Sequence, residues 1–168
     1  NALALNNASS QLVLNSITVD SVRTTSDSLG LDVDNNSTIT SLSVANITPV
    51  AIASGKTLSG GITVSAGSIK LSEAGTLDSS VSMSGGKLDA DESLTVSGAL
   101  SHSADIEIDV ASGETLTYSG SPISLGANTV TLSGGGSLVS GGLTLNNASS
   151  KLLLNSITVD NVSTTSDS

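Results

Sequence analysis

Short apolar–polar–apolar triplets recur along the whole chain, separated by small polar connectors. Leu12-Val13-Leu14, Ile17-Thr18-Val19, Ile62-Thr63-Val64, Ile69-Lys70-Leu71, Val81-Ser82-Met83, Leu94-Thr95-Val96 and Val130-Thr131-Leu132 are examples, and Ile106-Glu107-Ile108-Asp109-Val110 extends the same beat. A period of two is the signature of a strand with one buried face. Ser-Gly, Gly-Gly, Asn-Asn and Ala-Gly pairs lie between the triplets and mark turns. No stretch sustains helical periodicity, so the pattern predicts an all-β chain.

The triplets fall into three interleaved series. The first runs Ile17, Ile39, Leu58, Leu77, Leu94, Leu116, Leu138, Ile157; the second Leu3, Val22, Leu42, Ile62, Val81, Leu100, Ile123, Leu143; the third Leu12, Leu31, Val50, Ile69, Leu88, Ile108, Val130, Leu152. Each series advances by 17 to 23 residues per step, takes seven steps and closes on an offset of 140 residues. This spacing predicts a parallel β-helix, or β-solenoid, with three short strands per coil and about 20 residues per coil. A right-handed coil is expected from the bias of parallel connections. One coil cannot bury its own apolar residues, whereas stacked coils share a continuous Leu/Ile/Val interior. At about 4.8 Å per coil, seven coils rise roughly 34 Å.

The offset of 140 is also visible as a literal copy. Residues 3–28 return at 143–168 with five of 26 positions changed. The expected organisation is therefore a single solenoid slice over 1–168, holding one full repeat at 3–142 and the start of the next at 143–168. Internal repetition of this kind signals a tandem array. Because the two copied stretches lie at opposite ends, separate chains are expected to stack head-to-tail, a heterologous contact with no built-in limit.

Local residues suit a stacked coil. Asn6-Asn7, Asn35-Asn36 and Asn146-Asn147 flank triplets, where Asn accepts left-handed backbone and forms side-chain ladders between turns. Gly60-Gly61, Gly85-Gly86 and Gly134-Gly135-Gly136 offer corners with positive φ. Of the two prolines, Pro122 suits a corner and Pro49 a strand start. The widest steps fall around Ser101–Asp109 and 113–138, where a bulge or outward loop is expected.

Composition narrows the function classes. The formal net charge is −10, and the five basic residues, Arg23, Lys56, Lys70, Lys87 and Lys151, are scattered. Such a chain is a poor ligand for nucleic acid or anionic membranes, and its charge keeps a long filament soluble and self-repelling. With no cysteine, disulfide and thiolate chemistry are excluded. No run is long and apolar enough to insert in a membrane.

Ala53-Ser54-Gly55-Lys56-Thr57-Leu58, Ala111-Ser112-Gly113-Glu114-Thr115-Leu116 and Thr131-Leu132-Ser133-Gly134-Gly135 resemble repeats of large bacterial surface exoproteins. Filamentous-haemagglutinin-like adhesins and autotransporter passengers are of this type. The resemblance implies secretion, an extracellular stalk, and adhesion or surface coating.

Candidate chemistry is sparse. Lys87-Leu88-Asp89-Ala90-Asp91-Glu92 and Leu31-Asp32-Val33-Asp34-Asn35-Asn36 gather oxygen ligands that calcium takes, but the Gly-Gly-x-Gly-x-Asp calcium repeat is absent. His102, the only histidine, lacks a Cys or His partner for a metal. A Ser-His-Asp set is available on paper from His102 and Asp105, without a Gly-x-Ser-x-Gly elbow. Asp89 with Asp91, or Glu107 with Asp109, form carboxylate pairs of the kind glycosidases use. Tyr118 is the only aromatic residue, which argues against sugar stacking. Thr38-Ile39-Thr40 and Thr115-Leu116-Thr117 are isolated Thr-x-Thr pairs, too irregular for an ice-binding face. Asn-x-Ser/Thr sequons at Asn7, Asn35, Asn36, Asn46, Asn147 and Asn161 are expected by chance in this composition.

No catalytic, cofactor-binding or metal residue is assigned, and no cofactor is expected. The sequence reads as a structural module of a large secreted protein, forming a stiff rod. The alternatives are an adhesin module that binds glycans or neighbouring cells through a lateral face, and a β-helical polysaccharide enzyme.

Overall fold

In the computed structural model, which describes residues 2–165, the triplets become strands and the connectors become corners. The first ten strands are β1 (Leu3–Leu5), β2 (Gln11–Leu14), β3 (Thr18–Thr24), β4 (Gly30–Val33), β5 (Ser37–Val44), β6 (Ile47–Ile52), β7 (Thr57–Val64), β8 (Ser68–Ser72), β9 (Thr76–Met83) and β10 (Lys87–Ala90). There follow β11 (Leu94–Val96), β12 (Leu100–His102), β13 (Ile106–Val110), β14 (Thr115–Tyr118), β15 (Ile123–Ser124) and β16 (Thr129–Ser133). The last are β17 (Ser137–Ser140), β18 (Leu143–Leu145), β19 (Lys151–Leu154), β20 (Thr158–Val159) and β21 (Val162–Thr164). All pairings among them are parallel, and the strands stack about 20 residues apart into a β-solenoid of about eight turns.

The third apolar series forms one sheet, β2-β4-β6-β8-β10-β13-β16-β19. The first and second series share the other wall. In the first half of the chain they merge into single long strands: β5 carries both Ile39 and Leu42, β7 both Leu58 and Ile62, β9 both Leu77 and Val81. The long strand turns the corner by bending, with a register shift between Ile39 and Leu42 and a φ of +128° at Gly60 inside β7. In the second half the two series separate, as β11 and β12, β14 and β15, β17 and β18, β20 and β21. The separating connectors are Ser97-Gly98-Ala99, Ser119-Gly120-Ser121-Pro122 and Gly141-Gly142, and Pro122 has no N–H to give a ladder. So Gly60-Gly61 is a bend within a strand rather than a break. Pro49 likewise lies inside β6, two residues past its start.

The ladder of the second series matches its sequence alignment. Leu3, Val22, Leu42, Ile62, Val81 and Leu100 pair in succession, and Ile123 pairs Leu143. The other two series slip in places, always by two residues. Val50 pairs Leu71 rather than Ile69, and Ile108 pairs Leu132 rather than Val130. Val19, not Ile17, faces Ile39; Ser37, not Ile39, faces Leu58; Val96, not Leu94, faces Leu77; Val159, not Ile157, faces Leu138. A two-residue slip leaves every side chain on its original face, which is why the inside/outside pattern survives.

The interior is aliphatic. Leu31, Ile69, Leu77, Leu88, Ile108 and Leu116 are among its fully buried side chains. Inward polar residues such as Ser37, Thr24 and Thr48 are satisfied. Ser37 Oγ donates to Asn35 O (2.9 Å) and accepts from Ile17 N (3.3 Å). Thr48 and Thr24 join hydroxyls at 3.0 Å, and Thr24 Oγ1 also lies 3.4 Å from Ser43 O. The widest step has a structural counterpart: no strand pairing joins β12 to β15 among the described residues.

The two copied stretches share their turns, although β3 of the first corresponds to the separate β20 and β21 of the second. Asn7 Oδ1 accepts from Ser9 N (2.8 Å), and Asn147 Oδ1 from Ser149 N (2.9 Å). Ser16 and Ser156 take φ of +54° and +57°. Leu143 pairs Val162 as Leu3 pairs Val22, so the copied strand meets the next coil in the same register.

Candidate functional site

The acidic segments land on the outer face of the third-series sheet. Alternation turns Leu88 and Ala90 inward and leaves Lys87 and Asp89 half-exposed; β13 does the same with Glu107 and Asp109. Stacking then places Lys70 beside Asp89, and Asp89 beside Asp109. Lys70 Nζ reaches Asp91 at 2.8 Å, and Lys87 Nζ lies 3.3 Å from Asp109 and 3.6 Å from Asp89. Ser133 Oγ is 2.7 Å from both Glu107 Oε1 and Asp109 Oδ2; its single hydrogen goes to one at a time.

The electrostatics follow from burial and charge. Burial pushes the Asp89 carboxyl above the ordinary range, against the pull of Lys87 and Lys70. The hydrogen bond to Asp91 raises Lys70. Burial works to lower Lys87, but Asp89 and Asp109 together prevail and hold it above the usual lysine value. Asp91 and Asp109 thus pair with lysines of the preceding coils, and Asp89 with Lys87 of its own strand. No group of three or more His, Cys, Asp or Glu side chains suited to a metal occurs among the described residues. Asp32 lies on the outward side of β4, between Val13 and Ala51, and Asp34 sits in the exposed turn after it.

His102 occupies an inward column, paired with Met83 of the coil below. Its Nδ1 lies 3.1 Å from Ala104 O and its Nε2 3.1 Å from Ser124 O. It thereby bridges β12 to β15, where the backbone ladder is missing. Asp105 instead accepts from Thr129 N at 2.7 Å. The Ser-His-Asp set available on paper is therefore not assembled: the imidazole faces two carbonyls, and the carboxylate faces a backbone amide. Tyr118 is buried, and its hydroxyl accepts from Leu100 N at 2.9 Å.

One feature escapes sequence reasoning. Thr57, Thr76, Thr95 and Thr117 form a continuous column through four successive coils. A search for Thr-x-Thr within one strand misses it, because its members are a coil apart. The column borders a shallow cleft of about 270 Å³ lined by Gly75, Thr76, Ser93, Thr95, Thr115 and Thr117. A second cleft of about 210 Å³ is lined by Ser16, Ile17, Thr18, Asn36, Ser37, Thr38 and Ser59. Neither cleft has a titratable side chain in its lining. Their chemistry is that of hydroxyl and amide hydrogen bonding.

The geometry defines a β-solenoid whose two clefts are lined chiefly by hydroxyl groups and whose acidic segments pair with lysines. No protein-family model, curated protein or solved structure matches the chain.

Proposed function

We propose that this chain is a structural repeat module of a large, secreted or surface-borne bacterial protein, in which repeated coils build a stiff extracellular rod for adhesion or coating. The observation that carries the reading is commensurability. The 140-residue offset spans seven steps of each apolar series, and the copied Leu143 pairs Val162 just as Leu3 pairs Val22. A tandem array of such repeats continues as one solenoid, with no phase break at the repeat boundary. The net charge of −10 favours a soluble, self-repelling filament. The exoprotein-like runs at 53–58 and 111–116 support the extracellular setting.

The test is to join two, three and four 140-residue repeats covalently and measure the long axis by small-angle scattering and electron microscopy. Each added repeat lengthens the particle by roughly 34 Å at constant cross-section. Growth in cross-section, or flexible beads, overturns the rod. Protease and antibody accessibility on intact cells then tests the surface assignment.

A further inference from the structure

We propose that the first-series side of the wall binds a neutral, extended polysaccharide that lies along the solenoid axis and is held by a line of outward hydroxyls. The proposal rests on the rod reading, to whose adhesion it gives a ligand class. Near the start of each first-series strand an outward position carries Thr or Ser. In β3, β5 and β7 these are Thr18, Thr38 and Ser59, which pair in succession. From β7 to β14 they are Thr57, Thr76, Thr95 and Thr117. From β14 to β20 they are Thr115, Ser137 and Thr158. β7 and β14 each carry two, so the line steps sideways by two residues there and stays on the same face. Thr158 is the copy of Thr18, so in a tandem array the line passes from one repeat into the next without a gap. Both clefts lie on it, one beside Thr18, Thr38 and Ser59, the other beside Thr76, Thr95, Thr115 and Thr117.

The chemistry of the line selects the ligand. Among the described residues, none of its hydroxyls bonds to another protein group. Hydroxyls close by are spent: Ser93 Oγ donates to Glu114 Oε2 at 2.7 Å, and Ser97 Oγ to Asp78 Oδ1 at 2.8 Å. A free hydroxyl is both donor and acceptor, which suits a partner built of hydroxyls. Neither cleft lining holds a charged side chain, and the net charge of −10 repels a polyanion. A neutral chain of sugar hydroxyls meets both conditions. Rungs recur about every 4.8 Å, close to the sugar repeat of an extended β-linked glycan, so successive sugars meet successive coils. Tyr118 is buried and no other aromatic residue is present, so the face offers no ring for stacking. Each coil therefore holds its sugar weakly, and affinity accumulates with the number of coils spanned.

The probe is soluble mixed-linkage β-glucan, cast into native gels over a concentration series. The proteins are the 168-residue chain and a covalent three-repeat tandem. The β-glucan should retard both, the tandem at a concentration at least tenfold lower because it spans more coils. Polygalacturonate, a polyanion, should retard neither. Thr76→Val/Thr95→Val/Thr117→Val keeps the branched shape and removes three hydroxyls, and should raise the half-retarding concentration at least tenfold. The same three positions changed to Ser should keep binding, and Thr63→Val, on an exposed position of the second series, should change nothing. Four outcomes overturn the proposal: a triple-Val chain that binds like wild type, a triple-Ser chain that loses binding as triple-Val does, a tandem that is not retarded, or equal retardation by polygalacturonate. Small-angle scattering on the same samples keeps the two readings apart. Particles that lengthen by roughly 34 Å per repeat yet ignore β-glucan overturn the ligand and leave the rod standing.

Discussion

Leu143→Ala and Leu3→Ala change the same residue in copied surroundings and differ only in what lies above and below. Leu143 in β18 is enclosed by β15 and β21, and Leu3 in β1 has β3 alone. Removing a fully buried leucine loses its transfer free energy and leaves a cavity, about 3 kcal/mol together. Leu3 is 46% exposed; truncating it loses roughly half a transfer term and closes no cavity, about 1 kcal/mol. The difference, about 2 kcal/mol, is roughly a 30-fold difference in the local opening constant. Native-state hydrogen exchange reads this at the flanking ladders. These are Ile123 N to Gly142 O and Leu143 N to Asn161 O on one side, and Thr25 N to Leu5 O on the other. Val22→Ala against Val162→Ala repeats the comparison with the ends reversed. Equal loss of protection in both pairs would refute the idea that stacking on two sides supplies the burial.

The same logic separates faces. Leu88→Asp and Ile108→Asp bury an unpaired carboxylate and should each cost several kcal/mol in denaturant unfolding, whereas Thr63→Asp and Ser82→Asp on exposed positions should cost about 0.5 kcal/mol or less. For Asp89, folding raises the carboxyl pKa, so the proton is held more tightly in the fold. Its contribution to stability is complete below the ordinary carboxylate range and is lost as pH rises through the folded pKa. The stability of wild type minus that of Asp89→Asn should fall as pH rises out of the ordinary carboxylate range; a flat or rising difference contradicts the burial argument. Gly30→Ala should unfold its coil, because φ is +84° and a Cβ would sit 1.9 Å from Pro49 O. Gly55→Ala has φ +71° and nothing within 4 Å, so thermal unfolding should show only the backbone cost, about 1–2 kcal/mol.

The alternation of apolar and polar residues made the faces legible, and the regular offset made the coil legible. Register was legible only modulo two. Ile69 and Leu71 are equally apolar and share a face. Which of them lies over Val50 is decided by the path of the corners, and the apolar pattern is blind to that. The merging of two triplets into β5, β7 and β9 was hidden for the same reason, since a Thr-Ser or Gly-Gly connector serves a turn or a bent strand equally well. At the surface, Lys70 and Asp91 are 21 positions apart in sequence yet 2.8 Å apart in space. An acidic segment read alone looks like a cation ligand set; one coil away lies the lysine that pairs with it.

The five differences between the copied stretches show what the fold constrains. They fall at positions 4, 11, 13, 21 and 23, against 144, 151, 153, 161 and 163. By strand alternation all five point outward, while inward Leu3, Leu5, Leu12, Leu14, Val22 and Thr24 return unchanged. Three of the changes alter chemistry sharply: Ala4 to Thr144, Gln11 to Lys151 and Arg23 to Ser163. An outward side chain meets solvent and one neighbour on each adjacent coil, so exchange there costs tenths of a kcal/mol. An inward one is held by the coils above and below and by the opposite wall, and its volume is felt to the last methylene. Corners enjoy a similar freedom. The step from Leu100 to Ile123 takes 23 residues where its neighbours take 19 or 20, and the ladder resumes beyond it with the same faces inward. Added length in a corner is absorbed locally, whereas one residue added within a strand turns the remaining side chains over. A repeat under those rules can vary its surface and its corner lengths while keeping its column. That is how coils of unequal length sum to an offset that restores phase.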